Sequence, residues 1–212
     1  MTLAAPPISH RERKKLATRQ AIHDAAFDLV YRHGLSGTTI EIICDRAGVA
    51  PRTFWAYFAS KEDAVINRDP DQPGVMRDAL LARPAGEDPF AALRSVLESY
   101  VSGRLDDADK AVRRHELIRR EASLMAAVAA QFDDIERALV SAVADRLGLD
   151  VDSDLLPSVL VMAACGACKL AVQRWADQNG EMTFDDLFDA ALTRLAEGLA
   201  PLVAERGRKG RR

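Results

Sequence analysis

The stretch TTIEIICDRAGVAPRTFWAYFASKEDAV, residues 38–65, decides how this chain folds. Its first part carries apolar residues at helical spacing, and Thr38 followed by Glu41 has the pattern of a capping box at a helix start. Gly48 breaks this pattern, and Pro51 suits the first turn of a following short helix. Because two short helices joined by a glycine turn form a helix-turn-helix, we predict that motif here.

Four aromatic residues mark the second helix of this motif. Phe54, Trp55, Tyr57 and Phe58 make up four of the twelve Phe, Trp and Tyr residues in the chain. On so short a helix they cannot all face inward. We expect Phe54 and Phe58 to pack in a small core, and Trp55 and Tyr57 to face outward.

Helical patterns continue on both sides of the motif. An apolar stripe predicts a helix over residues 11–33 that ends at Gly34, and Ser60 predicts the start of another helix. Residues 67–89 hold four prolines and two glycines, which is typical of a connection. The remaining helices are predicted at about 89–104, 107–121, 123–147, 154–177 and 183–205.

No stretch alternates with period two, so the predicted fold class is all-α. We expect an N-terminal helix-turn-helix domain, residues 1–61, and a C-terminal helical domain for sensing and dimerisation, residues 62–212. The first domain has nine Lys or Arg and five Asp or Glu, a net +4, which leaves −7 for the remainder. This asymmetry indicates a polyanion as partner of the first domain, although an imbalance of this size also arises by chance.

Composition restricts the cellular location and the class of protein. The chain is 48% hydrophobic and 29% charged, as in ordinary globular proteins. Its longest apolar run, Val159–Cys168, is too short for a membrane span, so we expect no membrane association. The N-terminal charges follow a short apolar stretch, which is the reverse of a secretory signal. Three cysteines favour a reducing compartment, and we therefore expect the cytoplasm.

Residues 38–65 resemble the DNA-binding signature of TetR-type transcriptional regulators. The shared features are two threonines opening a helix, an alanine-glycine turn, an aromatic-rich recognition helix and a serine-lysine-glutamate helix start. The similarity covers about residues 12–66. It implies a ligand-responsive regulator of the repressor type, with double-stranded operator DNA as partner.

The resemblance also implies which side chains touch DNA. Phosphates are held by Thr39 or Thr38, by Tyr57 and by Lys61. Base edges are reached by the first residues of the recognition helix, which here are Pro51, Arg52 and Thr53.

Two positions depart from the family pattern. Trp55 stands where Tyr or Phe is usual, and its indole N–H suits a phosphate. Ala56 stands where a polar side chain is usual, which leaves base reading mainly to Arg52, a good partner of guanine.

A basic N-terminal arm, residues 1–15, and a nearby arginine supply further cations for the DNA backbone: Arg11, Arg13, Lys14, Lys15 and Arg19.

The helices predicted at 154–177 and 183–205 are the candidates for a dimer interface. The first is apolar on nearly all sides, so it should be covered on nearly all sides. Its small residues allow close helix approach: Ala163, Ala164, Gly166 and Ala167. The resemblance implies a homodimer joined by a four-helix bundle of these two helices, and packing within one subunit is the alternative.

Cys165 and Cys168 form the sequence CGAC, which permits a metal site, a redox site or ordinary packing. A structural zinc site needs four ligands, but Cys44 falls in the other domain and the four histidines form no pair. A thioredoxin-like site needs strands. We therefore expect packing, no metal and no cofactor. Because no nucleophile–base pair or phosphate loop is present either, we do not expect an enzyme.

An arginine-rich segment, residues 109–132, is either a solvated face or a basic entrance for an anionic ligand. Together with the residues up to 150, it resembles the sensor domain of actinobacterial regulators related to the mycofactocin-associated regulator. That resemblance implies an effector that is small and hydrophobic or acyl-CoA-like. An activator or a ligand-independent DNA-binding protein is the alternative. The expected cavity residues are Tyr100, His115, Met125, Met162, Cys165 and Trp175.

Overall fold

A computed structural model describes residues 9–105, 107–178 and 182–209, and within these ranges all regular structure is helical. The predicted all-α class is therefore confirmed. The helices of the described residues are α1 (His10–His33), α2 (Ile40–Ala47), α3 (Pro51–Tyr57), α4 (Lys61–Ile66), α5 (Gln72–Leu81), α6 (Pro89–Leu105), α7 (Ala108–Arg120), α8 (Ala122–Leu147), α9 (Leu156–Asp177) and α10 (Phe184–Lys209).

The chain divides into two units that each have their own apolar core. The first unit runs up to Asp69 and also contains Glu116–Ala129, and the second holds Pro70–His115 and the residues from Ala130 onward. The sequence predicts a single boundary at residue 61, whereas in the structure Glu116–Ala129 packs with α1 to α4. Leu117 and Leu124 are the buried residues that join it to that core.

Local sequence sets the ends of α1. The Ser9 hydroxyl accepts a hydrogen bond from the Glu12 amide at 3.2 Å, and the Glu12 carboxylate accepts one from the Ser9 amide at 2.9 Å. This reciprocal pair is a capping box and stabilises the first turn. Gly34, with φ of 73°, ends the helix at the residue expected from sequence. The buried face of α1 consists of Ile22, His23, Ala25, Ala26, Phe27 and Val30.

The α1–α2 turn depends on a glycine and on two adjacent threonines. A Cβ atom at Gly37 would lie 2.5 Å from the His33 carbonyl oxygen, so the turn has no room for a side chain. The residue that caps α2 is Thr39, whose hydroxyl accepts from the Ile42 amide at 3.4 Å. The sequence pattern had pointed to Thr38, which is instead buried and donates its hydroxyl to the Gly34 carbonyl oxygen at 3.0 Å.

The second unit is built around α9, which packs against α6 and α10. Among the described residues, α9 is the one helix long and apolar enough to cross a membrane. About half of its residues are buried in the core of this unit, on one side of the helix. They are Pro157, Leu160, Val161, Ala164, Cys165, Ala167, Cys168, Ala171, Trp175 and Ala176.

A single arginine fixes the connection that follows α5. The Arg146 guanidinium donates to the carbonyl oxygens of Leu80, Arg83 and Pro84 at 3.1, 2.9 and 2.8 Å. These acceptors lie at the end of α5 and in the loop after it, where backbone carbonyls have no helical partner. The proline-rich region predicted to be a connection thus contains the helix α5, and Arg146 orders the loop that follows it.

Candidate nucleic-acid interface

Two aromatic side chains orient α3 within the first unit. Phe54 and Phe58 are buried, with ring centroids 6.0 Å apart, and belong to the same core as Ile22 and Ile43. α3 follows a turn that Gly48 makes in the left-handed conformation, with φ of 66° and ψ of 36°. A residue with a Cβ atom adopts that conformation only at a cost. The inward direction predicted for Phe54 and Phe58 is therefore the one observed.

The opposite side of α3 is exposed. Pro51, Arg52 and Ala56 lie in solvent, and Trp55 is 56% exposed, with its ring edge-on to Phe54 at 5.4 Å. Thr53 and Tyr57 are half-buried. The exposed side of α3 therefore presents the Arg52 guanidinium and the Trp55 indole, while the other side of the helix is anchored in the core. A short exposed helix of this kind fits the DNA major groove.

Arg19 has a different position from the one predicted. Its guanidinium donates to the Tyr57 carbonyl oxygen at 3.1 Å and to the Arg68 carbonyl oxygen, and its central carbon lies 4.4 Å from the centre of the Phe58 ring. The sequence predicts that Arg19 is one of the cations that follow the DNA backbone. It instead holds the end of α3 against α1, because the last carbonyls of a helix need donors from elsewhere.

Lys61 and Thr38 are also used within the fold. The Lys61 ammonium donates to the carbonyl oxygens of Leu35 and Thr38 at 2.7 and 3.2 Å, which leaves one of its three N–H donors. Thr38 is buried, so of the two threonines considered for a phosphate contact only Thr39 is exposed. Of the two threonines, Thr39 is therefore the one that is accessible at the surface.

The basic residues near the N-terminus belong to a helix rather than to an extended arm. Arg11, Arg13, Lys14 and Lys15 lie exposed in the first turns of α1. Residues 1–8 of the predicted arm lie outside the described part of the chain. A helical frame fixes the spacing of these four charges, which suits contact with a phosphate backbone.

This arrangement defines the class of protein. A core formed with α1, α2, α4 and residues 116–129 supports the short, exposed helix α3, with cations beside it, which is the architecture of a helix-turn-helix DNA-binding protein.

Comparison with known proteins identifies the family. Residues 22–65 match the family model of bacterial regulatory proteins of the tetR family, and residues 87–200 match that of the MftR C-terminal domain. The HTH-type transcriptional regulator TcmR of Streptomyces glaucescens is 31% identical over 171 residues, which cover 78% of this chain and 76% of TcmR. The chain therefore belongs to the TetR family and is a DNA-binding transcriptional regulator.

Solved structures of more distant sequence share the fold. SmeT of Stenotrophomonas maltophilia, in its triclosan complex, is 20% identical with a TM-score of 0.60 and covers 86% of this chain and 91% of its own. FadR of Bacillus subtilis, in complex with stearoyl-CoA, is 20% identical with a TM-score of 0.56 and covers 84% of this chain and 98% of its own. At such identities the likeness concerns the fold alone.

The residues predicted to line an effector cavity fall into separate groups. Cys165 and Trp175 are buried in the core of the second unit, and Tyr100 packs against that core. His115 is half-buried in the same unit. Met162 is 63% exposed on α9, and Met125 is 52% exposed and belongs to the first unit. The structure thus does not place these two methionines in an interior lining, because helical spacing alone does not fix which face is covered.

Two side chains beside Tyr100 were missed by the sequence analysis. Gln131 is buried and donates its amide to the Tyr100 hydroxyl at 3.0 Å, and the Arg104 guanidinium stacks on the Tyr100 ring at 4.2 Å. The Tyr100–Arg104 contact has the four-residue spacing of helix neighbours, a signal that the sequence contained. The Gln131 contact joins α8 to α6 and has no local signature.

Cys165 and Cys168 are free thiols packed in the core of the second unit. Burial raises the pKa of each thiol to about 12. Since the thiolate is the reactive form, almost no reactive species is present at neutral pH. Within the described residues, no group of three or more His, Cys, Asp or Glu side chains could hold a metal ion.

We expect both thiols to resist alkylation in the native protein. Iodoacetamide at pH 7.5 should modify Cys165 and Cys168 at least tenfold more slowly in the folded protein than in urea, because burial disfavours the thiolate. Peptide mass spectrometry measures the two rates. Fast modification of the folded protein would contradict simple packing and favour the redox alternative.

Proposed function

We propose that the protein is a homodimeric repressor that holds operator DNA with α3 and leaves it when an acyl-type effector binds the second unit. The main observation behind the proposal is that α3 is buried on one side and exposed on the other. Arg52 and Trp55 lie exposed, while Phe54 and Phe58 fix the other side of the helix in the core. Operator binding also places the protein in the cytoplasm.

The DNA contacts in this proposal divide into two kinds. Arg52 reads a guanine through its two outer N–H groups, with Pro51 and Thr53 beside it at the base edges. Phosphates are held by Thr39, Trp55, Tyr57 and the remaining donor of Lys61. The exposed cations of α1 add contacts that do not depend on sequence: Arg11, Arg13, Lys14 and Lys15.

The dimer in this proposal is joined through α9. Val159, Met162, Gly166 and Leu170 are exposed at spacings of three and four residues, which places them in one stripe along the helix. A stripe of this kind on a soluble protein marks an interaction surface. A second copy of the chain is the partner that explains it, because a helix-turn-helix regulator reads two half-sites.

The acyl-type effector is supported by two of the comparisons. The C-terminal half matches the MftR C-terminal domain, and FadR, which shares the fold, binds stearoyl-CoA. The core of the second unit is rich in small and aliphatic side chains, which suit an alkyl chain. An activator that uses the same DNA interface is the second candidate, since nothing in α3 specifies the sign of regulation.

Operator release tests the proposal. An operator is first selected from random duplexes, and its affinity is then measured by fluorescence anisotropy with and without dodecanoyl-CoA, with coenzyme A as the head-only control. We expect dodecanoyl-CoA to weaken operator binding by about tenfold or more, because a ligand and DNA that favour different states lower each other's affinity equally. An operator affinity that no acyl compound changes would contradict the effector part of the proposal.

The sign of regulation needs a separate measurement. A reporter gene behind the selected operator should be expressed less when the protein is present, and dodecanoate in the medium should restore its expression. Higher expression in the presence of the protein would favour the activator.

A further inference from the structure

We infer that Tyr100, Arg104, Arg114 and Gln131 of the second unit form a binding site for the anionic head of an effector. The anion is an oxyacid group, a carboxylate or a phosphate, attached to an apolar tail. This inference rests on the proposed function, because it assumes that the second unit binds an effector, and it names the chemistry of that effector's head.

Three helices bring these side chains together. α6 carries Tyr100 and Arg104 one turn apart, with the Arg104 guanidinium 4.2 Å from the centre of the Tyr100 ring. α7 supplies Arg114, which is half-buried and lies one turn after Ala111, a buried residue of the same core against which Tyr100 packs. α8 supplies Gln131, whose amide donates to the Tyr100 hydroxyl at 3.0 Å. The four groups therefore form one cluster within the second unit rather than a scattered surface pattern.

Within the described part of the chain, the two arginines of the cluster have no carboxylate partner. Among the residues that the structure describes, no carboxylate oxygen lies within 4.0 Å of the Arg104 or Arg114 guanidinium. Other arginines of the same unit do have carboxylate partners: Arg77, Arg83, Arg94 and Arg137. Arg104 and Arg114 differ from these four arginines in having no described carboxylate beside them.

Keeping two positive groups together away from water is unfavourable. Arg104 and Arg114 are both half-buried. Burial, followed by the neighbouring charge of Arg104, lowers the pKa of Arg114 to about 10, so Arg114 remains charged at neutral pH. A bound anion would remove this repulsion and accept hydrogen bonds from both guanidinium groups. The repulsion between the two guanidinium groups is therefore relieved when an oxyanion binds, and this relief adds to the affinity for the oxyanion.

The remaining groups suit an oxyanion with an apolar tail. Burial raises the pKa of Tyr100, so its hydroxyl stays protonated and is able to donate to a carboxylate or phosphate oxygen. Tyr100 also packs against the apolar core that contains Cys168 and Leu97, which provides an apolar surface beside the charges. Guanidinium groups match carboxylate and phosphate geometry with paired N–H donors.

Other arginines of α7 do not share this environment. The Arg113 Nε atom donates to the Asp109 carbonyl oxygen at 3.2 Å and its side chain is exposed. Arg120 is exposed and lies 3.9 Å from the Glu116 carboxylate. Arg113 is therefore a matched control for Arg114, since its replacement changes the same charge on the same helix.

Isothermal titration calorimetry tests the site. The full-length protein is titrated with three ten-carbon probes: decanoate, decyl phosphate and decanol. We expect decanoate or decyl phosphate to bind at least tenfold more tightly than decanol, because a hydrogen bond to a charged group contributes that much. Whichever anion binds more tightly identifies the head group. Arg114→Gln and Arg104→Gln should each abolish this preference and leave decanol binding unchanged, whereas Arg113→Gln should keep it.

Several results would overturn the inference. These are equal binding of the anions and decanol, an anion preference that survives in both Arg114→Gln and Arg104→Gln, and no binding of any probe. Thermal melting identifies a variant that does not fold, and the other variant then decides. Anion binding at this site without any effect on operator affinity would refute the effector-release proposal and leave the anion site standing.

Discussion

Replacing Arg52 by alanine is expected to weaken operator binding by about 2–6 kcal/mol, because a dimer loses two arginine–base contacts of about 1–3 kcal/mol each. Arg52 is the one charged side chain on α3, and Ala56 has no hydrogen-bonding group with which to read a base. Most of the base-specific hydrogen bonding therefore falls on this residue. The affinity for operators changed at the base pair read by Arg52 should fall much less, because that contact is already absent there.

Anisotropy titrations of wild-type and Arg52→Ala protein against a series of single-base operator variants measure this effect. Arg46→Ala is the matched control, since Arg46 is exposed at the end of α2 and carries the same charge. Any effect of Arg46→Ala should be about the same for all operator variants, because no base contact is assigned to Arg46. An unchanged base preference in Arg52→Ala would rule out Arg52 as the base-reading residue.

The helices and the orientation of α3 were predictable because they depend on local patterns. Gly34, Gly48 and Pro51 mark helix ends through their own backbone preferences. The burial of Phe54 and Phe58 follows from a four-residue spacing on one helix. Such features need no knowledge of distant parts of the chain.

The roles of several cations depended on contacts between residues distant in sequence. Arg19 donates to carbonyl groups 38 and 49 residues away, and Lys61 to one 26 residues away. From sequence, each looked like a free charge available for DNA. A hydrogen bond to a backbone carbonyl cannot be predicted from residue types, because every residue has a carbonyl group.

In the second unit, too, contacts between residues distant in sequence could not be predicted from local patterns. Arg114 was one of four arginines in a single segment, and helical spacing did not separate it from Arg113 or Arg120. The packing of α6, α7 and α8 distinguishes Arg114, which is half-buried and, among the described residues, has no carboxylate within 4.0 Å, from the exposed Arg113 and Arg120. Met162, which the apolar character of α9 suggested for an interior cavity, lies outside because α9 buries its other side.

Replacing Met162 by arginine is expected to convert the dimer to a monomer and to weaken operator binding by about 100-fold or more, because linked half-sites gain that much from being bound together. Met162 lies in the middle of the exposed stripe of α9 and is 63% exposed, so arginine should be accepted by the isolated subunit. In a two-fold symmetric interface, each new charge would face the partner's α9 and its copy of the same arginine.

Light scattering after gel filtration gives the mass of the protein, and circular dichroism checks that the helices remain. Val75→Arg is the matched control, since Val75 is similarly exposed on α5, outside the stripe. It introduces the same charge and should leave both mass and operator affinity unchanged. If Met162→Arg protein remained dimeric, the stripe would not be the interface. If it became monomeric and still bound the operator at full strength, the two half-sites would not be read together, and the role of the dimer in DNA recognition would be wrong.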